Sequence, residues 1–278
     1  MPELPEVETV RTVLDPLLRG RTFRGVSVYW ERTVGYPDVS TFLSSVVDQR
    51  IVAVERRAKL IVLRLQSGNV LTIHLRMTGE LRFCPATTDG ETDSRFLRVQ
   101  LDFTDGSTLQ FFDVRKFGRI ELLTNQEFDD VSGRLGVEPL DPSFSVAQLE
   151  TCLLARNRQI KPLLLDQSVV AGLGNIYVDE ALFRAGIHPL SNSGSLPAHA
   201  LATLHTAIRS VLSQAIEHRG TTLRNYRSGV GEPGENQLRL VVYGKPAGSP
   251  CAVCGKPLSR TVIGQRGTVY CASCQVRY

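Results

Sequence analysis

Three residues at the start of the chain, Pro2, Glu3 and Glu6, are of types that could carry out covalent chemistry. A methionine followed by a small residue such as proline is normally removed, so we expect the mature chain to begin with the secondary amine of Pro2. A neutral amine is a nucleophile that can form a Schiff base with a carbonyl or sugar carbon, and a neighbouring carboxyl group can move protons for it. The same residues are also favoured in the first turn of an ordinary helix. The stretch by itself leaves both interpretations open.

Four cysteines near the C-terminus have the spacing of a metal site. Cys251, Cys254, Cys271 and Cys274 form the pattern C-x2-C-x16-C-x2-C. Four thiolates can close a tetrahedral site around one zinc ion, and a site filled by sulfur has no open position for water. We therefore expect one structural Zn²⁺. Arg266 falls between the two pairs, where a hairpin tip would expose it either as a phosphate ligand or as a solvated charge.

A glycine-rich turn, AGLGN, precedes a predicted helix in the second half of the chain. Gly172 and Gly174 allow backbone N–H groups to turn outward, and the helix that starts at Asn175 adds its positive end, which together favour an anion. Arg156 and Lys161 lie a few residues upstream. Because neutralisation of the backbone dominates nucleic-acid affinity, this cluster suggests phosphate binding, although the glycine pattern alone is weak evidence.

Two further turns, HLRMTG and DVRKFG, place His74, Met77, Arg115 and Phe117 at strand ends. A methionine or phenylalanine exposed beside cations could wedge between base pairs, whereas the alternative is that both side chains belong to the core. Lys59 lies in RRAKL, where two neighbouring arginines would depress its pKa if it were partly buried. Lys59 could equally be an edge-strand charge that resists aggregation.

Composition sets the broad class. The chain has 278 residues, of which 42% are apolar, enough for two domains with cores of their own. It has no apolar run that could cross a bilayer and no signal-peptide pattern, so we expect a soluble cytosolic protein without a membrane partner. The net charge of +4 suits an anionic partner without requiring one. Residues 239–278 contain six basic residues and no acidic one, which favours contact with an anion.

The elements that must position these residues fall into two classes. Apolar residues at helical spacing predict a helix over residues 5–18. Short segments of period two, rich in β-branched and aromatic residues, follow without intervening helices and predict strands; they cover residues 22–30, 50–65, 69–77, 95–103, 108–114 and 118–123. This pattern predicts an antiparallel sandwich or flattened barrel in a domain of residues 1–136.

The rest of the chain has helical period. Helices are predicted over residues 146–156, after Ser145 as N-cap, and over 160–167, 175–187 and 197–218. A polar, glycine-rich loop follows at 220–237, then a strand-like segment at 238–244 and the cysteine pattern. The predicted fold class is therefore α+β, with domains at 1–136, 137–238 and 239–278.

The motifs in their order resemble the bacterial formamidopyrimidine-DNA glycosylase family over essentially the whole chain. They are PELPEVET, RRAK, HL-x-MTG, R-K-FG, IKPLLLDQ, AGLGNIYVDEALF, GTTL and the terminal zinc ribbon. The resemblance implies a bifunctional DNA repair enzyme that excises oxidised purines such as 8-oxoguanine and formamidopyrimidines and then cleaves the abasic site. It also implies an N-terminal β-sandwich, a helix–two-turn–helix and a zinc finger, with double-stranded DNA bound between the domains. We expect a monomer that works on the nucleoid in the bacterial cytoplasm.

The resemblance also implies roles for single residues. Pro2 would attack C1′ of the damaged nucleoside, with Glu3 as proton donor and Glu6 in support. Lys59 and Arg266 would donate protons or position phosphates during β- and δ-elimination. Met77, Arg115 and Phe117 would fill the gap left by the extruded base, and the loop from Thr221 to about Gln237 would close over the lesion. The expected DNA-contacting residues are His74, Met77, Arg115, Phe117, Arg156, Lys161 and Asn175.

The chain departs from the family pattern in its DNA-contacting turns. Arg76 stands where many relatives have glycine, and Lys116 stands where some have arginine, which loses bidentate geometry. Phe96 and Arg98 occupy the region where relatives often carry a DNA-contacting histidine.

Two other functions remain open. An enzyme of the endonuclease VIII type would act on oxidised pyrimidines, although that branch resembles a PEGPE start rather than PELPE. A non-enzymatic zinc-ribbon DNA-binding protein would need the finger but not Pro2, Glu3 or Glu6.

Overall fold

The computed structural model describes residues 1–86, 94–223 and 226–278. These residues form two compact units, one made of Met1–Gly133 with His218–Glu235 and the other of Arg134–Glu217 with Asn236–Tyr278. The stretch 218–235 thus packs with the first unit although it follows a helix of the second. The division into three domains stays a prediction.

The first unit begins with helix α1, Leu4–Leu18. Glu3 is its N-cap. Glu3 and Glu6 form a capping box, in which the side chain of each residue accepts from the backbone N–H of the other. The apolar face of α1 is completely buried, including Val7, Val10 and Leu14. The predicted helix is confirmed. Glu6 lies in its first turn, Glu3 is the N-cap, and Pro2 directly precedes the cap.

Two sheets form the sandwich within the described residues. Their strands are β1 (Phe23–Val28), β2 (Val34–Tyr36), β3 (Ile51–Arg57), β4 (Leu60–Leu65), β5 (Val70–His74), β6 (Gly79–Cys84), β7 (Leu97–Phe103), β8 (Thr108–Asp113) and β9 (Arg119–Leu123). One sheet has the order β1-β7-β8-β6 and the other β2-β9-β5-β4-β3. Side chains from both sheets and from α1 share one apolar cluster, so the two sheets enclose a common core. All pairs are antiparallel except β2 with β9, which are parallel.

The sandwich differs from the predicted succession of strands in three places. Helix α2, Val39–Val46, interrupts it because Asp38 caps its N-terminus and Phe42 and Val46 enter the core. Helix α3, Asn125–Gly133, follows the last strand. The stretch 50–65 is two strands, since Ala58 adopts a φ of 53° and turns the chain. The expectation of strands without intervening helices was therefore wrong.

The second unit contains α4 (Val146–Leu154), α5 (Ile160–Leu165), α6 (Asn175–Arg184) and α7 (Ala198–Glu217). Ser145 caps α4 as predicted, accepting from the N–H of Gln148. Helix α7 is 20 residues long and buries one face. Among the described residues, no helix combines the length and apolar character needed to cross a membrane.

The zinc-ribbon segment ends the second unit as an antiparallel hairpin of β10 (Ser259–Ile263) and β11 (Arg266–Tyr270). The strand predicted at 238–244 was wrong. The backbone N–H groups of Val241, Val242 and Tyr243 instead donate to the buried carboxylate of Glu180 on α6, at 2.8–3.0 Å. Because one carboxylate satisfies all three N–H groups, this segment needs no strand partner.

Candidate active site and nucleic-acid interface

The N-terminal residues of the first unit lie against the stretch that follows α7. Met1 is 45% exposed, whereas Pro2, Glu3 and Glu6 are buried. One carboxylate oxygen of Glu6, Oε2, accepts from the N–H of Glu3 at 2.8 Å, and the other, Oε1, accepts from the N–H of Thr221 at 2.7 Å. The structure therefore brings the three predicted catalytic residues together and joins them to the predicted lesion loop.

The predicted lesion loop begins beside Glu6 at Gly220, and Tyr226, further along the loop, also contacts Glu6. Gly220 has a φ of +79°, and a Cβ at this position would lie 3.1 Å from Glu6 Cγ and from the ring of Tyr226, so the turn favours glycine. The hydroxyl of Tyr226 donates to the backbone carbonyl of Glu6 at 3.2 Å. Burial, followed by the charge of Glu6, raises the pKa of this phenol, so it remains a neutral donor. Arg224 and Asn225, which the predicted loop includes, lie outside the described residues.

Lys59 and His74 occupy adjoining positions in the five-stranded sheet. Lys59 is 5% exposed at the turn between β3 and β4, and the next residue, Leu60, pairs with His74 on β5. Burial, with further contributions from the positive charges of Arg76 and Lys59, lowers the pKa of His74 to about 3. His74 is therefore neutral at physiological pH. Its Nδ1 accepts from the N–H of Arg76 at 3.0 Å, which fixes the start of the next turn.

The two turns with predicted wedge side chains expose them. Met77 is 39% and Phe117 49% exposed, so the alternative that they belong to the core is wrong. The guanidinium of Arg115 lies 4.7 Å from the centroid of the Phe117 ring. Each turn contains a non-glycine residue in the left-handed region, Arg76 with φ 53° and Lys116 with φ 60°. Such positions favour glycine.

Asp113, at the end of β8, is a site residue that the sequence analysis missed. Its side chain is buried, and Oδ1 accepts from the N–H of Arg115 at 3.0 Å and from the hydroxyl of Thr78. Oδ2 accepts from the N–H of Gly118 at 2.7 Å. The signal in the sequence is an aspartate two residues before Arg115 in DVRKFG, because aspartate commonly accepts from backbone N–H groups two residues on.

In the second unit, Lys161 does not lie where a phosphate could reach it. It is completely buried, and its Nζ donates to Asp179 Oδ1 at 2.6 Å and to Thr268 Oγ1 at 2.7 Å. Lys161 also donates to the carbonyl of Gly267 at 3.3 Å, and Asn175 donates to the same carbonyl at 2.9 Å. The expected direct DNA contact of Lys161 is thus corrected to a contact between α5, α6 and the finger hairpin.

The remaining predicted phosphate contacts are more accessible. Arg156 is exposed and lies 3.6 Å from Asp166, which leaves most of its donors available. Asn175 is half-buried at the start of α6, after Gly174 as N-cap. Arg266 is exposed at the start of β11, next to Gln265, which turns the hairpin with a φ of 61°. Their role as phosphate contacts stays a prediction.

The four cysteines meet at one point of the second unit. Their sulfur atoms lie within 4.8 Å of one another, with Cys251 and Cys274 at 3.8 Å and Cys254 and Cys271 at 3.5 Å. Four sulfurs 2.3 Å from a tetrahedral zinc ion are ~3.8 Å apart. The cluster fits one structural zinc ion. Its four sulfurs would fill all four coordination positions and leave none for a catalytic water.

Models of known families match the chain in three consecutive stretches. These are the formamidopyrimidine-DNA glycosylase N-terminal domain over residues 1–120, the formamidopyrimidine-DNA glycosylase H2TH domain over 135–227, and the zinc finger found in FPG and IleRS over 248–276. The last match and the cysteine cluster agree on a structural zinc ion.

Whole-chain comparisons give the same result. The chain is 44% identical over 277 residues to the formamidopyrimidine-DNA glycosylase of Enterococcus faecalis, covering 99% of this chain and 97% of the relative. It is 45% identical over 278 residues to that of Chloroflexus aggregans, covering 99% of both.

Solved structures extend the similarity to the fold. A complex of a Lactococcus lactis Fpg mutant with DNA containing Fapy-dG matches with a TM-score of 0.90 at 33% identity, covering 99% of this chain and 100% of that chain. MutM in complex with DNA containing carbocyclic 8-oxo-G matches with a TM-score of 0.89, also at 33% identity, with the same coverage. On sequence, fold and metal site together, the chain belongs to the formamidopyrimidine-DNA glycosylase family.

Proposed function

We propose that this DNA glycosylase of base excision repair, whose family also has AP lyase activity, excises oxidised purines from double-stranded DNA with Pro2 as its nucleophile. The observation that carries the proposal is the buried cluster of Pro2, Glu3 and Glu6 at the start of α1, which is held by the stretch around Thr221. Similar solved structures contain Fapy-dG or 8-oxo-G DNA, which supports the choice of lesion.

The proposed chemistry starts with the Pro2 nitrogen. Its lone pair forms a bond to C1′ while the bond from C1′ to the base breaks, and the base leaves with the bonding electrons. Glu3 donates the proton that opens the sugar ring, which gives a Schiff base between Pro2 and C1′. The Schiff base acidifies the neighbouring sugar carbon, so loss of a proton expels the 3′ phosphate and a second elimination expels the 5′ phosphate. Water then releases Pro2.

Other residues of the first unit support these steps. Glu6 fixes the first turn of α1 through its bonds to Glu3 and Thr221. Extraction of a base from the duplex costs a few kcal/mol, and the exposed Met77, Arg115 and Phe117 would compensate by filling the vacated space. We assign Lys59, at the turn between β3 and β4, to the eliminations as a proton donor.

Positive and polar groups would hold the DNA backbone. We assign Arg156, Asn175 and His74 to phosphate contacts and Arg266 to a phosphate near the eliminations. The bound zinc ion supplies no chemistry and stabilises the hairpin that carries Arg266. Lys161 acts indirectly, since it holds the Gly267 carbonyl beside that arginine.

Borohydride reduction tests the nucleophile. The protein should form a covalent complex with a duplex that contains 8-oxoguanine, because reduction converts the Schiff base into a stable amine. Pro2→Gly keeps an amine and should still be trapped, whereas Pro2→Gln retains Met1 and should not; intact mass verifies the N-terminus of each. Pro5→Ala is the matched control, since it alters the same turn but leaves the amine.

Three outcomes would contradict the proposal in different ways. Tight binding without trapping would favour a zinc-ribbon protein that only binds DNA. Preferential excision from a competing duplex with an oxidised pyrimidine would favour an enzyme of the endonuclease VIII type. Trapping by Pro2→Gln at the wild-type rate would remove Pro2 from the mechanism.

We further propose that the protein acts as a monomer on nucleoid DNA in the bacterial cytoplasm. The relatives compared above come from bacteria, which supports the bacterial compartment. Light scattering during size-exclusion chromatography should give the mass of one chain, 30.7 kDa. A stable dimer mass would refute the monomer.

A further inference from the structure

Asp113 and Thr78 join two turns that are distant in sequence but carry the exposed wedge side chains. We propose that these two residues are positioning residues that hold the Met77 turn and the Arg115–Phe117 turn as one rigid unit for base extrusion. This inference rests on the proposed function, since it concerns how the wedge is built rather than which base is removed.

The carboxylate of Asp113 faces donors from both turns. Its oxygens accept from two N–H groups of its own turn, those of Arg115 and Gly118, and from the hydroxyl of Thr78 in the other. The side chain is 1% exposed, so these bonds form away from water. Charge-assisted bonds of this kind are stronger than neutral ones, and a buried carboxylate that lost them would be strongly unfavourable.

The hydroxyl of Thr78 both donates a hydrogen bond to the turn of Asp113 and Arg115 and accepts one from it. Its Oγ1 donates to Asp113 and also accepts from the N–H of Arg115 at 3.1 Å. The residue before it is Met77, and the residue that donates to it is Arg115, so a single hydroxyl lies between two wedge residues. The partners are 35 and 37 positions away in sequence, and local turn preferences therefore cannot set this geometry.

The surroundings leave the network little freedom. A Cβ at Gly118 would come within 2.4 Å of the Phe111 ring, so the backbone must approach closely at this point. Arg98 donates from its Nε to the carbonyl of Asp113 at 2.8 Å and fixes the end of β8. Arg98 is 7% exposed, so it supports the turn from inside the sandwich.

A fixed arrangement has a function here because both turns contain a residue in the left-handed region. Arg76 and Lys116 would relax toward commoner backbone conformations if nothing held them, since such non-glycine positions are stable only when the surroundings over-determine them. Wedge side chains that are already ordered lose less conformational entropy when they enter the duplex. The network therefore lowers the free energy of extrusion and leaves the reaction at C1′ unchanged.

The test compares two substrates in single-turnover reactions. One duplex contains 8-oxoguanine, which must be extruded, and the other a preformed abasic site, which has no base to extrude. Thr78→Val removes the hydroxyl and should slow excision of 8-oxoguanine about tenfold, as expected for one charge-assisted hydrogen bond, with less than a twofold effect on the abasic site. Thr78→Ser restores the hydroxyl and should restore excision.

Two aspartate variants provide a matched pair. Asp113→Asn puts an amide N–H against a backbone donor and should reproduce the selective loss. Asp102→Asn makes the same change on β7, where the carboxylate accepts from Gln100 and contacts neither turn, and should leave both rates unchanged. Fluorescence of 2-aminopurine beside the lesion should show slower extrusion in Thr78→Val and Asp113→Asn only.

The outcomes separate this inference from the function on which it rests. Equal losses on both substrates, unchanged excision in Thr78→Val, or failure of Thr78→Ser to recover would overturn the positioning role. If Asp113→Asn does not fold, the two threonine variants decide the matter. A wild-type protein that processes neither duplex would refute the proposed function instead.

Discussion

Glu6 accepts backbone hydrogen bonds from two parts of the chain, one of them in its own helix turn and the other 215 positions away. One oxygen holds the N–H of Glu3 and the other that of Thr221. A carboxylate can accept at both oxygens, whereas an amide has one acceptor and presents donors on its other side. The chemical type of Glu6 is therefore as important as its size, because both bonds exist only with a carboxylate.

Glu6→Gln should lower the rate of base excision about 10- to 100-fold, because one buried N–H would face an amide donor rather than an acceptor. The measurement is single-turnover excision of 8-oxoguanine. Glu8→Gln is the control, since Glu8 is two positions further along α1 and pairs with the partly buried Arg11 and Arg56 rather than with Glu3 or Thr221. Comparable losses in both variants would mean that the effect belongs to the helix and not to the two bonds.

His74 should make folding stability depend on pH. Its pKa is about 3 in the folded protein and about 6.5 in the unfolded chain, so the unfolded chain binds the extra proton. Stability is therefore fully present above about pH 6.5 and is lost as the pH falls toward 3, by at most about 1.4 kcal/mol per pH unit. His74→Asn keeps an acceptor for Arg76 and should flatten this dependence.

Urea denaturation between pH 7.5 and pH 4.5 measures the effect. His199→Asn, at an exposed histidine on α7, should retain the slope of the wild type. If His74→Asn and the wild type lose the same free energy of unfolding over this range, His74 is not the titrating group.

At the scale of elements, the ion pair of Lys161 and Asp179 connects α5 and α6 to β11. Both side chains are almost completely buried, and Thr268 on the hairpin accepts from the same Nζ. Burial raises the pKa of Asp179 to about 6 although Lys161 opposes the change. Neither member of the pair is tolerable alone, because a single buried charge has no solvent to compensate it.

Lys161→Met should therefore reduce the free energy of unfolding by about 3–5 kcal/mol, and the double variant Lys161→Met with Asp179→Asn should recover part of that loss. Chemical denaturation of the intact protein provides the measurement. Lys245→Met changes an exposed lysine of the same unit and should have an effect within about 0.5 kcal/mol. A double variant that is less stable than Lys161→Met would contradict the pairing.

The sequence predicts those elements whose signals are local. The capped α1, the glycine turns and the cysteine pattern follow from residues a few positions apart, and the structure contains them. The buried position of Lys161 could not be predicted, because its partner Thr268 is 107 positions away. The segment at 238–244 has β-branched residues but no strand, since a carboxylate from another element satisfies its N–H groups. Long-range partners decided these cases against local preference.

At the scale of the whole molecule, basic residues outnumber acidic ones by 32 to 28, too few to direct binding by net charge alone. Particular cations must therefore account for affinity. Arg156 and Arg266 are exposed and lie in stretches that the family models match, the H2TH domain and the zinc finger.

The logarithm of the affinity for a duplex should fall linearly with the logarithm of salt concentration, and Arg156→Ala and Arg266→Ala should each reduce the slope by about 0.9, as expected for one phosphate contact. Fluorescence anisotropy at several salt concentrations measures the slopes. Arg19→Ala, at an exposed residue that pairs with Asp15, is the control. Slopes equal to that of the wild type would remove these two arginines from the phosphate contacts.

The return of residues 218–235 to the first unit limits how the gene can be divided. A shortened protein ending at Gly133 would contain the described strands of the sandwich and all of α1, but neither Thr221 nor Tyr226. Glu6 would then lose the donors that come from the distant stretch. A break in the gene between the first two family matches would divide the first unit, because residues 218–235 of that unit are encoded after the break. Exchange of the second family match between relatives would therefore also exchange residues 218–227, which belong to the first unit.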